Sequence, residues 1–145
     1  MQATQERPTT LAGGCLCAAI RYEISFSEPG QWPPTLGDCD CTMCRKWTGA
    51  LLYQNLAISA DQLSPPLSSF ASYKEYESSP GRFRGFCSQC GSSLIWRSER
   101  EGERHKFEVM IGSFDEKWLK RNGDSGEGGV EGILGEMLEK KDAGM

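Results

Sequence analysis

Seven cysteines fall in three tight groups along this chain of 145 residues, which contains a single histidine. The groups are CLC at Cys15 and Cys17, CDCTMC at Cys39, Cys41 and Cys44, and CSQC at Cys87 and Cys90. An odd number cannot close a framework of disulfides. The N-terminal MQATQERPTTLAGG also lacks the apolar stretch of a leader that would send the chain to an oxidising compartment. Metal ligation is the leading explanation for all seven, and with one imidazole available any such site must be mostly or wholly thiolate.

Spacing divides the seven into four and three. A CxxC turn brings two sulfurs to within about 2.3 Å of one zinc ion, and a CxC pair chelates where the backbone bends, which Gly13, Gly14 and Gly91 permit. Cys39, Cys41 and Cys44 are contiguous enough to form one group, which leaves the CLC and CSQC pairs to form the other. Four thiolates close a tetrahedral zinc; three leave a position for water or substrate. Rival readings use fewer of the cysteines. A redox CxxC ignores the adjoining CxC, and burial as free thiols ignores the clustering. Two structural zincs, the second completed by Asp40, His105 or another donor, use all seven.

Around these groups the chain suggests a mainly β domain of short antiparallel strands. Ile20, Tyr22, Ile24 and Phe26 alternate with polar residues in the period of a half-buried strand. Residues 51–58 are mostly apolar, and further strands are expected near 70–76, 83–87, 93–96 and 107–111, with the charged RSEREGERHK as a hairpin tip. SEPGQWPPTLGD is expected to be irregular, and residues 1–12 a flexible leader before a zinc-binding domain over 13–119. In 120–145, a flexible linker precedes a marginal C-terminal helix whose apolar face comprises Val130, Ile133, Leu134, Met137 and Leu138. A net charge of -4 argues against a nucleic-acid partner held by phosphate contacts, and no apolar run reaches the ~18 to 20 residues of a membrane span. A cytoplasmic protein with small-molecule or protein partners is expected; nothing in the sequence sets its oligomeric state.

GGCLCAAIRYE, CDCTMCRKWTGA, GFCSQCGSSLIW and the later IGSFDE resemble the glutathione-dependent formaldehyde-activating enzymes, a family that includes centromere protein V. The resemblance implies a β-tent fold with two zinc ions per chain: a structural zinc on Cys15, Cys17, Cys87 and Cys90, and a catalytic zinc on Cys39, Cys41 and Cys44. It implies a carbon–sulfur lyase-type reaction, in which a glutathione-like thiol adds to formaldehyde or another small aldehyde. Arg45 and Lys46 become candidates to hold a substrate carboxylate and Trp47 to wall the pocket, while Trp96 and Phe114 are assigned to the core. Two positions depart from the family pattern. Ala18 stands where Gly is common after the first CxC, and Asp40 where His is common within the central motif. The alternative is a non-catalytic zinc module that binds a protein partner. Elemental analysis of protein purified without added metal is expected to find two zinc ions per chain; one or none would defeat the division into four and three.

Overall fold

The computed structural model describes residues 10–121 and 130–131. The strands are β1 (Thr10–Gly14), β2 (Arg21–Ser25), β3 (Thr35–Cys39), β4 (Tyr53–Ile58), β5 (Leu63–Ser64), β6 (Tyr73–Ser79), β7 (Arg82–Cys87), β8 (Ser93–Ser98), β9 (Phe107–Met110), β10 (Lys120–Arg121) and β11 (Val130–Glu131). One α-helix, α1 (Thr42–Thr48), occurs among the described residues. Strands β1, β2 and β5 form a small sheet, β3, β4, β9, β8, β7 and β6 a larger one in that spatial order, and β10 pairs with β11. Every pairing is antiparallel. The domain is therefore mainly β, as the short alternating segments imply.

The alternation in Ile20, Tyr22, Ile24 and Phe26 produces its expected result, with all four side chains buried. They meet Leu56, Ile58, Ile95 and Val109 from the large sheet, together with Leu11, Leu94 and Phe114, in the main core. The large sheet is buried on both faces at its centre. Tyr53, Asn55 and Met110 alternate with Leu56 and Val109 and are buried too. Tyr53 and Met110 form a second, smaller cluster with Cys44, against which Trp47 and Trp96 pack. Burial on both sides breaks the clean apolar-polar alternation of a one-sided sheet.

Several boundaries differ from those expected. Strand β1 starts at Thr10, inside the segment read as a leader, because Leu11 is a core residue of the small sheet. The TLGD end of the Pro-rich segment becomes β3, paired with β4 from Thr35↔Ala57 to Cys39↔Tyr53. Ile111 ends the last long strand in a 3-10 turn. The charged run does link β8 to β9. Val130 stands in a strand rather than on a helix, because its backbone pairs with Arg121; the other four positions of that expected face lie outside the described residues. No described helix is long and apolar enough to cross a membrane.

The connection from β1 to β2 contains the CLC pair. Its backbone turns through Ala18 N–H to Cys15 O at 3.1 Å, and Ala18 sits at φ 64, the left-handed region that costs an L side chain about 1 to 2 kcal/mol. Replacing it by glycine removes that penalty and restores some unfolded-chain entropy. Ala18→Gly is expected to stabilise the domain by about 0.5 to 1 kcal/mol, measured as a higher denaturation midpoint at unchanged slope; a lower midpoint would refute it.

Candidate metal centres

Two sulfur groups are assembled, and each collects the expected cysteines. Cys15, Cys17, Cys87 and Cys90 place their Sγ atoms within 4.8 Å of one another, and so do Cys39, Cys41 and Cys44. Within the first group, Cys15 Sγ lies 3.5 Å from Cys17 Sγ, which lies 3.8 Å from Cys87 Sγ. Four sulfurs at ~2.3 Å from a zinc ion stand about 3.8 Å apart along the edges of the tetrahedron. The spacing therefore fits zinc, with no further donor required.

Two tight turns build the four-sulfur group. The CSQC turn is closed by Gly91 N–H donating to Cys87 O at 2.7 Å, with Gly91 at φ 82. The CLC turn approaches it from the small sheet, tied by Leu16 N–H to Ser92 Oγ at 2.9 Å. Backbone N–H groups surround the sulfurs. Ile20 donates to Cys15 at 3.3 Å, Ala19 to Cys17, and Gln89 and Cys90 to Cys87. The Ser92 hydroxyl, with the N–H groups of Ser92 and Cys17, brings Cys90 down to about 5. Although the Ala19 N–H favours its thiolate, desolvation and the sulfurs of Cys15, Cys90 and Cys87 push Cys17 up to about 12. Crowded thiols do not all ionise on their own. A divalent cation removes the conflict, and the donor set suits it.

The three-sulfur group is built on α1. Cys41 caps the helix, its Sγ accepting from Cys44 N–H at 3.4 Å, and Gly49 at φ 75 ends it. That short capped helix, unannounced by any periodicity, sets the spacing of Cys41 and Cys44, while Cys39 comes from the end of β3. The Cys44 N–H and side chain bring Cys41 down to about 7. The Cys41 N–H favours the Cys39 thiolate, yet desolvation and the two neighbouring thiols push Cys39 up to about 11. Cys44 is buried, Cys39 half-buried and Cys41 exposed, so the group lies at the surface with its inner wall in the sheet. Neither Asp40 nor His105 belongs to it.

That inner wall contains residues the sequence did not single out. Arg84 Nη1 donates to Cys44 Sγ at 3.6 Å, and Tyr53 is buried in the same cluster as Cys44. Tyr53 further donates to Glu108 Oε2 at 3.4 Å; burial raises the Glu108 pKa. Trp47 packs against Cys44, with Arg84 over its ring at 5.0 Å, and Trp96 joins the same cluster while Phe114 stays in the main core. Arg45 and Lys46 are exposed on the helix, and Asp40 is exposed just before it. The signal for Arg84 is present in RFRGFC, where a cation falls at the centre of a strand three residues before a cysteine of the four-sulfur group.

Comparison with known proteins follows the same residues. Residues 10–124 match the model of the glutathione-dependent formaldehyde-activating enzyme family. An uncharacterized lyase of Schizosaccharomyces pombe is 34% identical over 84 residues, covering 58% of this chain and 55% of that protein, so the match spans about half the relative's length. A crystal structure of a Rhodobacter sphaeroides protein superposes with a TM-score of 0.52 over 71% of this chain and 86% of that one, at 19% identity, which is a likeness of fold.

The two groups predict opposite consequences of losing one sulfur. Cys87→Ser breaks a closed set that joins two sheets and is expected to unfold the domain, whereas Cys41→Ser removes an exposed ligand and should leave a folded chain that holds one zinc fewer. Circular dichroism with metal analysis checks both; a folded Cys87→Ser or an unfolded Cys41→Ser would reverse the assignment.

Proposed function

The chain belongs to the glutathione-dependent formaldehyde-activating enzyme family, and from this we propose that it is a zinc enzyme of the carbon–sulfur lyase type, joining a glutathione-like thiol to a small aldehyde. The observation that carries the reading is the contrast between the two groups: four sulfurs that complete a tetrahedral set, and three near the surface backed by Arg84 and Tyr53. In this reading Cys15, Cys17, Cys87 and Cys90 hold a structural zinc, and Cys39, Cys41 and Cys44 hold a catalytic one. An ion held by three thiolates supplies Lewis acidity at its open position, favouring thiolate over thiol and polarising a carbonyl.

The chain's own residues then have defined tasks. The thiol sulfur bonds to the aldehyde carbon, the carbonyl π pair moves to oxygen, and the proton released by the thiol ends on that oxygen. Tyr53, packed with Cys44 and hydrogen-bonded to Glu108, offers a short route for that proton; burial raises the Glu108 pKa, which favours its holding a proton. Trp47 walls the site, and Arg45 and Lys46 on the exposed side of α1 receive ligand carboxylates. Asp40, beside them, disfavours the most anionic thiols. Because thiols and aldehydes combine without an enzyme, the gain lies in holding both reactants in line.

A second reading has its own observation. Met43, Leu51 and Leu52 are exposed apolar side chains on and just after α1, as a zinc module that docks a protein would present. Exchange spectroscopy with glutathione and formaldehyde separates the two. The protein is expected to accelerate exchange, Cys41→Ser to return it to the uncatalysed rate, and Glu108→Gln to lower it about tenfold or more. An unchanged rate at high protein concentration would leave the docking module as the better account.

A further inference from the structure

We infer that Arg84 is a positioning residue of the three-cysteine site: its buried guanidinium supplies the positive charge that lets three thiolates and an incoming thiolate gather around one divalent ion. The inference rests on the reading above that this group holds zinc.

Arg84 is 5% exposed. A buried cation needs a counter-charge, since isolated charge in a protein interior is costly. The structure gives its guanidinium three contacts: Nε donates to Ser78 Oγ at 2.9 Å, Nη1 to Cys44 Sγ at 3.6 Å, and Cζ lies 5.0 Å from the centre of the Trp47 ring. Hydroxyl and ring are neutral, and among these contacts only the sulfur can carry negative charge; the Glu108 carboxyl also feels the Arg84 charge, but burial raises its pKa and disfavours its anionic form. Three thiolates around a divalent ion leave one net negative charge, and a thiolate entering the open position would make two. One fixed guanidinium against Cys44 brings those totals to zero and to one. A neutral resting site accepts an anionic ligand far more readily than a negative one.

The placement is built rather than incidental. Arg84 lies on β7 between β6 and β8, paired with Tyr76 and with Trp96, so the sheet fixes its direction toward α1. Ser78 holds one end of the fork and Trp47, itself from α1, covers its face. Packing alone would not ask for arginine. Replacing a whole buried ion pair by apolar side chains is often neutral or stabilising for a fold, so a buried arginine beside a cysteine is not explained by stability alone. Loss of a hydrogen-bonding partner to a metal ligand, by contrast, typically weakens metal affinity or activity about 10- to 100-fold.

The test compares zinc release to a chromophoric chelator from the wild-type protein, Arg84→Met and Arg84→Lys. In the wild type, two zincs should leave in distinct phases. In Arg84→Met the phase assigned to the three-cysteine site, identified by its absence from Cys41→Ser, should quicken about 10- to 100-fold while the other phase is unchanged. Arg84→Lys should recover most of the difference. With cobalt in place of zinc, glutathione should perturb the sulfur-to-metal absorption of the wild type at about tenfold lower concentration than that of Arg84→Met. Wild-type release from Arg84→Met, or a lysine variant as impaired as the methionine one, would overturn the inference. Should Arg84→Met fail to fold, the lysine variant decides alone, with near-wild-type release supporting the inference and a tenfold loss refuting it. A wild-type chain that binds one zinc would instead overturn the reading on which the inference rests.

Discussion

Two turns from different sheets bring four sulfurs to one point, and most of the architecture hangs on that junction. Cys17 and Cys87 are 70 residues apart in sequence and 3.8 Å apart at sulfur. A chain of this length with 38% hydrophobic residues builds a modest core, and its small sheet joins a five-residue β1, a five-residue β2 and a two-residue β5. Such a sheet has little independent stability. Closing a long loop through a metal removes entropy from the unfolded chain, and metal binding adds directly to folding free energy because the preformed site exists only in the folded state. The bidentate Arg21–Asp115 pair, at 2.6 and 2.7 Å, crosses nearby, but it is exposed and adds little by comparison.

The same junction reaches the second group through β7. That strand carries Arg84 toward Cys44 and ends in Cys87, with a register shift between Gly85 and Phe86 separating the two. The chain leaves the CSQC turn directly into β8, where Ser93 donates to Trp47 O at 3.4 Å at the far end of α1. Helix α1 is thus held at one end by its own cysteine cap and at the other by the strand that follows the closed site. A displacement of the four-sulfur turn would move the wall of the three-sulfur one. Both groups receive backbone N–H groups, but they differ in that the three-sulfur one has a buried guanidinium, that of Arg84, against one of its sulfurs.

What was legible in the sequence was what depends on short-range spacing. Both sulfur groups and the alternating strand through Ile20, Tyr22, Ile24 and Phe26 follow from residue intervals alone. The helix that presents Cys41 and Cys44 did not, because seven residues show less than two full turns of periodicity; its ends are written instead in a cysteine cap and a left-handed glycine. Strand β3 hid in a Pro- and Gly-rich stretch, and its pairing to β4 is a long-range fact. Arg84, Tyr53 and Glu108 escaped for one shared reason. Each sits on a strand of the large sheet whose second face would be solvent in a simpler domain, and only the folding of α1 over that face turns polar positions into the wall of a site.

Ala18 and Asp40, the two departures from the family pattern, now have different weights. Ala18 adopts the left-handed conformation that glycine takes freely, so the fold keeps the geometry and bears the cost in its backbone. Asp40 is exposed and outside the sulfur group, so it leaves the ligand set intact. Its charge is opposite to those of Arg45 and Lys46, exposed on the helix that follows, while Arg84 lies inside under lower dielectric screening. A buried charge in contact with a ligand sulfur outweighs an exposed one screened by water. On the proposed function, the acidic residue at the rim would sort ligands by their outer charge, whereas the basic one in the wall would set how readily a thiolate is bound.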